Sequence, residues 1–165
     1  MLQQKRCDAI WRLAGDVSLD DRAFVHGVLG LAAALLIPGQ AFVATFGRVI
    51  GAHVAIECAN DDRIDPARRV ASPGLVRADA ARAEAIRRLV TLHWDDAGTG
   101  ALLVTPFNAG HALYVVAFAA GERAHRPFTA DDDAFAESVA SLIAARVQQR
   151  WDAVPERDPL EVVTL

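Results

Sequence analysis

The segment AFVATFGRV, Ala41–Val49, is rich in β-branched and aromatic residues and apolar on both faces of a strand. A strand with that pattern has no side to turn to water, so it belongs inside a sheet that is covered on both sides. Two more strand segments come later in the chain, ALLVTPF (Ala101–Phe107) and ALYVVAFA (Ala112–Ala119). Any fold for this chain must therefore bury a sheet between two layers.

The remaining elements fit around that sheet. After β-type residues in AFVATFGRV, a turn at Gly51 and a second segment, His53–Cys58, read as a hairpin. Val90–Trp94 reads as a short strand, and the turn NAGH supplies Asn108 and Gly110 for positive backbone angles between the last two strands. Pro106 cannot donate to a ladder, which suggests a bulge or an edge at that point.

Helical signals flank the strands. Phe24, Val28, Leu31 and Leu35 recur at spacings of three and four, with Asp20 or Ser18 available as a cap and Pro38-Gly39 as a stop. A shorter helical piece near Ile10–Leu13 precedes it and breaks at Gly15. Arg77–Leu89 is helical by composition. The strongest helix opens at Thr129, carries Asp131–Asp133 on its positive end, and has the stripe Phe135, Val139, Leu142, Ile143 and Val147. Basic residues Arg146 and Arg150 sit near its C-terminal end, and Trp151 closes it.

The expected fold is thus α+β: one antiparallel sheet, with five strands read from the residues and helices packed against its faces. Residues 1–17 read as a helical lead-in, 18–151 as the domain, and 152–165 as a loose tail. A polar, proline-marked loop from Asn60 to Gly74 is longer than most connections, and such loops are often functional.

Composition closes off several functions. Lys+Arg number 17 against 21 Asp+Glu, a net charge of -4, so the basic field that nucleic-acid binding needs is missing. The longest apolar stretch, Val28–Pro38, is about half of a membrane span. The opening MLQQKRCD has charges with no apolar run behind them, so no signal peptide and a cytoplasmic location are expected. Cys7 and Cys58 have no metal-ligand spacing and make no disulfide framework. No two histidines stand at a helical i, i+4 spacing, no Gly-x-Ser-x-Gly elbow occurs, and no phosphate-binding glycine loop is present. His111 beside a hairpin turn reads as exposed, and His53 and His93 on strands read as hydrogen-bonded structural residues.

The stretch PFTADDDAFAESVASLIAARVQQR resembles the closing helix of a GAF domain, which commonly opens with Pro-Phe-Thr-x-x-Asp and an aromatic residue. YVVAFAA is similar to the strand before that helix, and LHWDDAG with LVTPFNAG resembles one sub-branch of the family. The resemblance spans about Leu19 to Arg150. It implies a five- or six-stranded antiparallel sheet flanked by helices, with any sixth strand drawn from Arg69–Leu75, the N- and C-terminal helices on one face, and a pocket on the other between the sheet and the loop-helix roof. It also implies a sensory or regulatory module of the kind found upstream of bacterial diguanylate cyclases and histidine kinases. The segment RDPLEVV is similar to a diguanylate cyclase lead-in as far as Leu160.

On that resemblance, the expected ligand-binding residues are Phe46, Arg69, Arg77, Trp94, Asp95, Thr105 and Tyr114. Trp94 would line the pocket and Asp95 orient donor groups, while Arg68, Arg69 and Arg77 would clamp a carboxylate or phosphate. Thr105 and Tyr114 would add polar contacts to an apolar cavity. A homodimer through the terminal helices is expected, using Phe24, Val28, Leu31, Leu35, Val139, Leu142 and Ile143.

The ligand itself stays unknown. A covalent bilin is not expected, because Cys58 precedes Ala59 and Cys7 precedes Asp8, where attachment in many members places a histidine. Haem is not expected either, and the Asn-Lys-x-n-Phe signature of cyclic-nucleotide-binding members does not occur. Three readings remain at this point: a small-molecule sensor that is not an enzyme, a dimerisation scaffold without ligand, and remotely a GAF-type methionine sulfoxide reductase. The last needs a thiolate near a resolving thiol, and Cys7 and Cys58 are distant in sequence.

Overall fold

The computed structural model describes residues 2–15, 20–50, 53–61, 80–96 and 100–152. In chain order these form α1 (Leu2–Ala14), α2 (Asp21–Leu36), β1 (Val43–Ile50), β2 (His53–Ala59), α3 (Ala80–Arg87), β3 (Leu92–Asp96), β4 (Gly100–Ala109), β5 (Ala112–Ala120) and α4 (Ala130–Asp152). The strands make one antiparallel sheet in the order β2-β1-β5-β4-β3. The fold is α+β, as the residue patterns imply, with five strands among the described residues. The segment proposed for a sixth, Arg69–Leu75, lies outside them, as do Gly51, Ser18, Arg68, Arg77 and the tail beyond Asp152.

Period-two alternation splits the sheet cleanly. Along β5, Tyr114, Val116, Phe118 and Ala120 face one core cluster, and Leu113, Val115, Ala117 and Ala119 face another. The first cluster lies under α1, α2 and α4, so the N- and C-terminal helices do share a face. There Val28, Leu29, Leu36, Phe135, Val139 and Ile143 are fully covered, each worth about 1.5–3 kcal/mol relative to exposure. The second cluster joins Leu102, Val104, Val115, Ala117 and Val54 to Ile86 of α3.

Helix ends follow their capping residues. The Asp20 side chain accepts the Ala23 N–H at 2.7 Å, fixing the start of α2. Gly39, with φ of 84°, turns the chain after Pro38. At α4 a capping box forms: Thr129 Oγ1 accepts the Asp132 N–H at 3.4 Å, and Asp132 Oδ2 accepts the Thr129 N–H at 2.9 Å. α1 is longer than the Ile10–Leu13 piece read from pattern, and it packs Ile10 into the core.

Of two strand details, one corrects a local expectation and the other meets it. Asn108 stays within β4, and only Gly110 takes a positive φ (61°) in the two-residue turn to β5. A glycine in the first turn position is enough for a tight hairpin, so the asparagine has no left-handed role. Pro106 is paired in register with Val115, yet β3 reaches along β4 only as far as Val104. Pro106 therefore lies at a local edge, where its missing N–H costs no ladder bond.

The β1–β2 ladder carries a bulge: Phe46 pairs with Cys58 and Gly47 with Ile56, leaving Glu57 as the extra residue. Its effect is to send Cys58 to the helix side, where it joins the first cluster. Gly47 is needed there, since an added Cβ would lie 2.6 Å from Val54 Cγ1 and 2.8 Å from the Ala55 carbonyl oxygen.

Candidate functional site

Trp94 sits on β3 and packs against the second cluster, beside Leu102 across the ladder. That face consists of Leu92, Trp94, Leu102, Val104, Leu113, Val115, Ala117 and Val49, an apolar floor. Among the described residues outside the sheet, Ile86 of α3 alone joins its buried core. The floor is what the strand alternation makes it: apolar residues at every second position of β3, β4 and β5.

The other expected ligand residues in the described chain occupy the opposite face. Phe46, Phe107 and Tyr114 form a three-ring stack with centroids 5.1–6.0 Å apart. Phe46 and Tyr114 are 3% and 1% exposed beneath the helices. Thr105, on the same side of β4 as Leu103 and Phe107, is 3% exposed and lies 3.3 Å from the Thr91 hydroxyl. Asp95 is the immediate neighbour of Trp94, so it must point the other way. Its Oδ1 accepts the Ala124 N–H at 3.2 Å and lies 3.5 Å from Arg123 Nε. The structure thus brings Trp94 to one side and Phe46, Thr105, Tyr114 and Asp95 to the other. Arg69 and Arg77 lie outside the described residues.

The helix-facing residues of β3 and the preceding residue form a polar seam with α4. Thr91 Oγ1 donates to Glu137 Oε1 at 2.9 Å, and His93 Nδ1 is 2.9 Å from Asp133 Oδ1. The His93 ring also lies 5.4 Å from that of Phe128.

A second constellation was not anticipated from the sequence. Asp132 is fully buried. Its carboxylate receives Arg126 Nη1 at 2.6 Å and Nη2 at 2.9 Å, Arg6 Nη1 at 3.2 Å, and the Thr129 N–H and Oγ1. Burial by itself would raise the Asp132 carboxyl. The hydrogen bonds from Arg126, Thr129 and Arg6, with the Arg126 charge, outweigh it and hold the group below the usual carboxylate range. The same bond to Asp132 raises Arg126. Arg126 Nη2 also reaches the Leu36 carbonyl at 3.3 Å, and the Arg6 guanidinium lies 5.5 Å from the Phe135 ring centroid. Gln40, 4% exposed, donates to the Arg123 carbonyl and accepts the His125 N–H at 3.0 Å. Only the Thr129-x-x-Asp132 spacing of this group is visible in sequence, as a capping box. Arg6 is 126 positions from its partner, and no local pattern marks it.

Among the described residues no group of three or more His, Cys, Asp or Glu is placed to hold a metal ion, and no helix is long and apolar enough to cross a membrane. Cys58 is buried, and burial pushes its thiol up; Cys7 is half-buried.

One antiparallel sheet, closed on one face by the first two helices and the last, defines an α+β domain of the GAF-like class. Among solved structures the chain is similar to a protein from Burkholderia vietnamiensis described as a candidate GAF sensor protein. The TM-score is 0.66 at 17% identity, over 93% of this chain and 92% of that one. At that identity the likeness is one of fold, and the chain has a GAF-like fold. No family model and no curated protein matches the sequence.

Proposed function

We propose that this chain is a cytoplasmic, non-enzymatic regulatory domain that senses a small apolar molecule on the Trp94 face of its sheet. It works as a homodimer and passes the signal through its terminal helices to an output domain or a partner kinase or cyclase. The observation that carries this reading is the asymmetry of the two sheet faces. One packs against α1, α2 and α4, while the described residues of the other form an apolar floor that packs on Ile86 of α3, with the Trp94 ring at its margin. Apolar pockets with few polar groups are the usual form of small-molecule sites, and the Burkholderia protein's description as a sensor supports the same class.

The dimer contact is narrower than the helical stripes suggest. Phe24, Val28, Val139 and Ile143 are covered within one chain, and Leu142 is 9% exposed. Leu31 and Leu35 are half-buried on α2 at the margin of the helix-side core, and Gly30 has open space beside it. That partly covered stripe is the surface proposed for a second copy.

A scaffold without ligand is favoured by one fact: Val104, Val115 and Ala117 on the outer face are already only 0%, 1% and 2% exposed. Native mass spectrometry and an absorbance spectrum on gently purified protein separate the two. A dimer with a discrete extra mass, lost in Trp94→Ala, supports the sensor. A clean dimer whose melting temperature is unmoved by a broad panel of metabolites, nucleotides, bilins and haem supports the scaffold. A monomer counts against the dimer in both.

A further inference from the structure

Residues 121–129 form a strap between β5 and α4 with few apolar anchors, Phe128 and the half-buried Ala124. The rest of its attachment is polar and comes from separate parts of the fold, beginning with the Glu122 carbonyl, which accepts the Ala101 N–H of β4 at 3.0 Å. Asp95 at the end of β3 takes the Ala124 N–H, Gln40 after α2 holds Arg123 and His125, and Arg126 reaches both the Leu36 carbonyl and Asp132. One end of the strap is tied to the neighbour of Trp94. The other ends on the carboxylate that also binds α1.

That carboxylate is shared unevenly. Asp132 Oδ1 receives both Arg126 Nη2 at 2.9 Å and Arg6 Nη1 at 3.2 Å, so two guanidinium groups of like charge converge on one oxygen. When Arg6 leaves, Asp132 still has both prongs of Arg126 and the N–H and hydroxyl of Thr129. Release would solvate the Arg6 Nε, which is buried without a partner in the docked position, and this offsets part of the loss of the Oδ1 contact. Among the described side chains of α1 only Arg6 and Ile10 are buried, Cys7 is half-buried against the core, and Trp11 is 59% exposed. The structure shows α1 docked, and a released α1 would be the second arrangement that coupling between sites requires.

We propose that the strap links Asp95 to the docking of α1 through competition between Arg126 and Arg6 for Asp132 Oδ1. While Asp95 holds the strap down, Arg126 stays seated and α1 is poised for release. When the end of β3 shifts and the strap lifts, Arg126 withdraws from Oδ1 and Arg6 docks α1 firmly. The coupling is therefore negative, and by linkage it is reciprocal. It deepens the sensor reading, on which it rests only for what moves Asp95.

Amide hydrogen exchange on the full chain tests this without any ligand. In Asp95→Ala, amides of residues 122–126 are expected to exchange faster, while those of α1 slow by about fivefold or more. Arg6→Ala supplies the reciprocal arm: with Oδ1 left to Arg126, the Ala124 and His125 amides slow. Thr91→Val breaks the β3–α4 seam elsewhere and leaves α1 exchange unchanged. The proposal is overturned if α1 exchanges at the same rate or faster in Asp95→Ala, if the strap loosens in Arg6→Ala, or if Thr91→Val slows α1 as much. Failure of the ligand panel leaves these outcomes standing, so the two ideas fail separately.

Discussion

Arg126 grips Asp132 with both prongs of its guanidinium, Nη1 to Oδ2 and Nη2 to Oδ1, while Asp132 closes the capping box at the start of α4. This arrangement fixes how the domain responds to acid. The Asp132 carboxyl is held below the usual range, and in the unfolded chain an aspartate titrates at about 3.9. Its stabilising contribution is therefore complete above that value and is lost as pH falls through the lower, folded value. The wild type should lose stability below about pH 4 more steeply than Asp132→Asn, which at neutral pH is expected to cost about 3 kcal/mol by leaving two arginines without a counter-charge. Urea unfolding of both proteins from pH 7 to 2 checks it. Parallel acid limbs would refute the assignment.

Gly47 should tolerate no side chain. An added Cβ meets Val54 Cγ1 at 2.6 Å and backbone at 2.8 Å, beside the β1–β2 bulge. Gly47→Ala is expected to destabilise the domain by about 1–3 kcal/mol. Thermal unfolding measures this, and an unchanged midpoint would mean that the bulge relaxes freely.

Leu89 carries a positive φ of 61° after α3, where the Val90 N–H bonds the Ala85 carbonyl and the Leu89 N–H bonds that of Ile86. This is a Schellman ending with leucine where glycine is usual. The side chain is 44% exposed, so little packing offsets the left-handed conformation. Leu89→Gly should stabilise by about 0.5–1 kcal/mol, read as a rise in the urea midpoint at unchanged slope. A fall would show that Leu89 makes a contact worth more than its strain.

The two thiols should react unequally. Cys58 is 6% exposed with its thiol pushed up by burial, whereas Cys7 is half-buried on α1. A thiolate reagent at pH 8 should label Cys7 first in the native protein and Cys58 only on unfolding. Equal rates on intact-mass analysis would contradict the placement of Cys58 in the helix-side core.

Much of this architecture is carried by local pattern. The α4 stripe with its Thr129 cap, the α2 stripe with its Asp20 cap, and the Gly110 turn follow from residue spacing and backbone preference, which act over a few residues. The two-sided apolar character of Ala41–Val49 required a sheet covered on both faces, and β1 does lie inside the sheet between β2 and β5. Even the division of Trp94 from Asp95 was available, since adjacent strand residues cannot share a face. What pattern cannot convey is which face receives the helices. That depends on register between strands, so Phe46 and Tyr114 read as pocket residues from their placement on strands while register and packing stack them with Phe107 beneath α1, α2 and α4. The bulge at Glu57, the buried Asp132 and its partner Arg6 belong to the tertiary structure alone. Each arises from elements distant in the chain meeting at one place, and no interaction between near neighbours encodes that meeting.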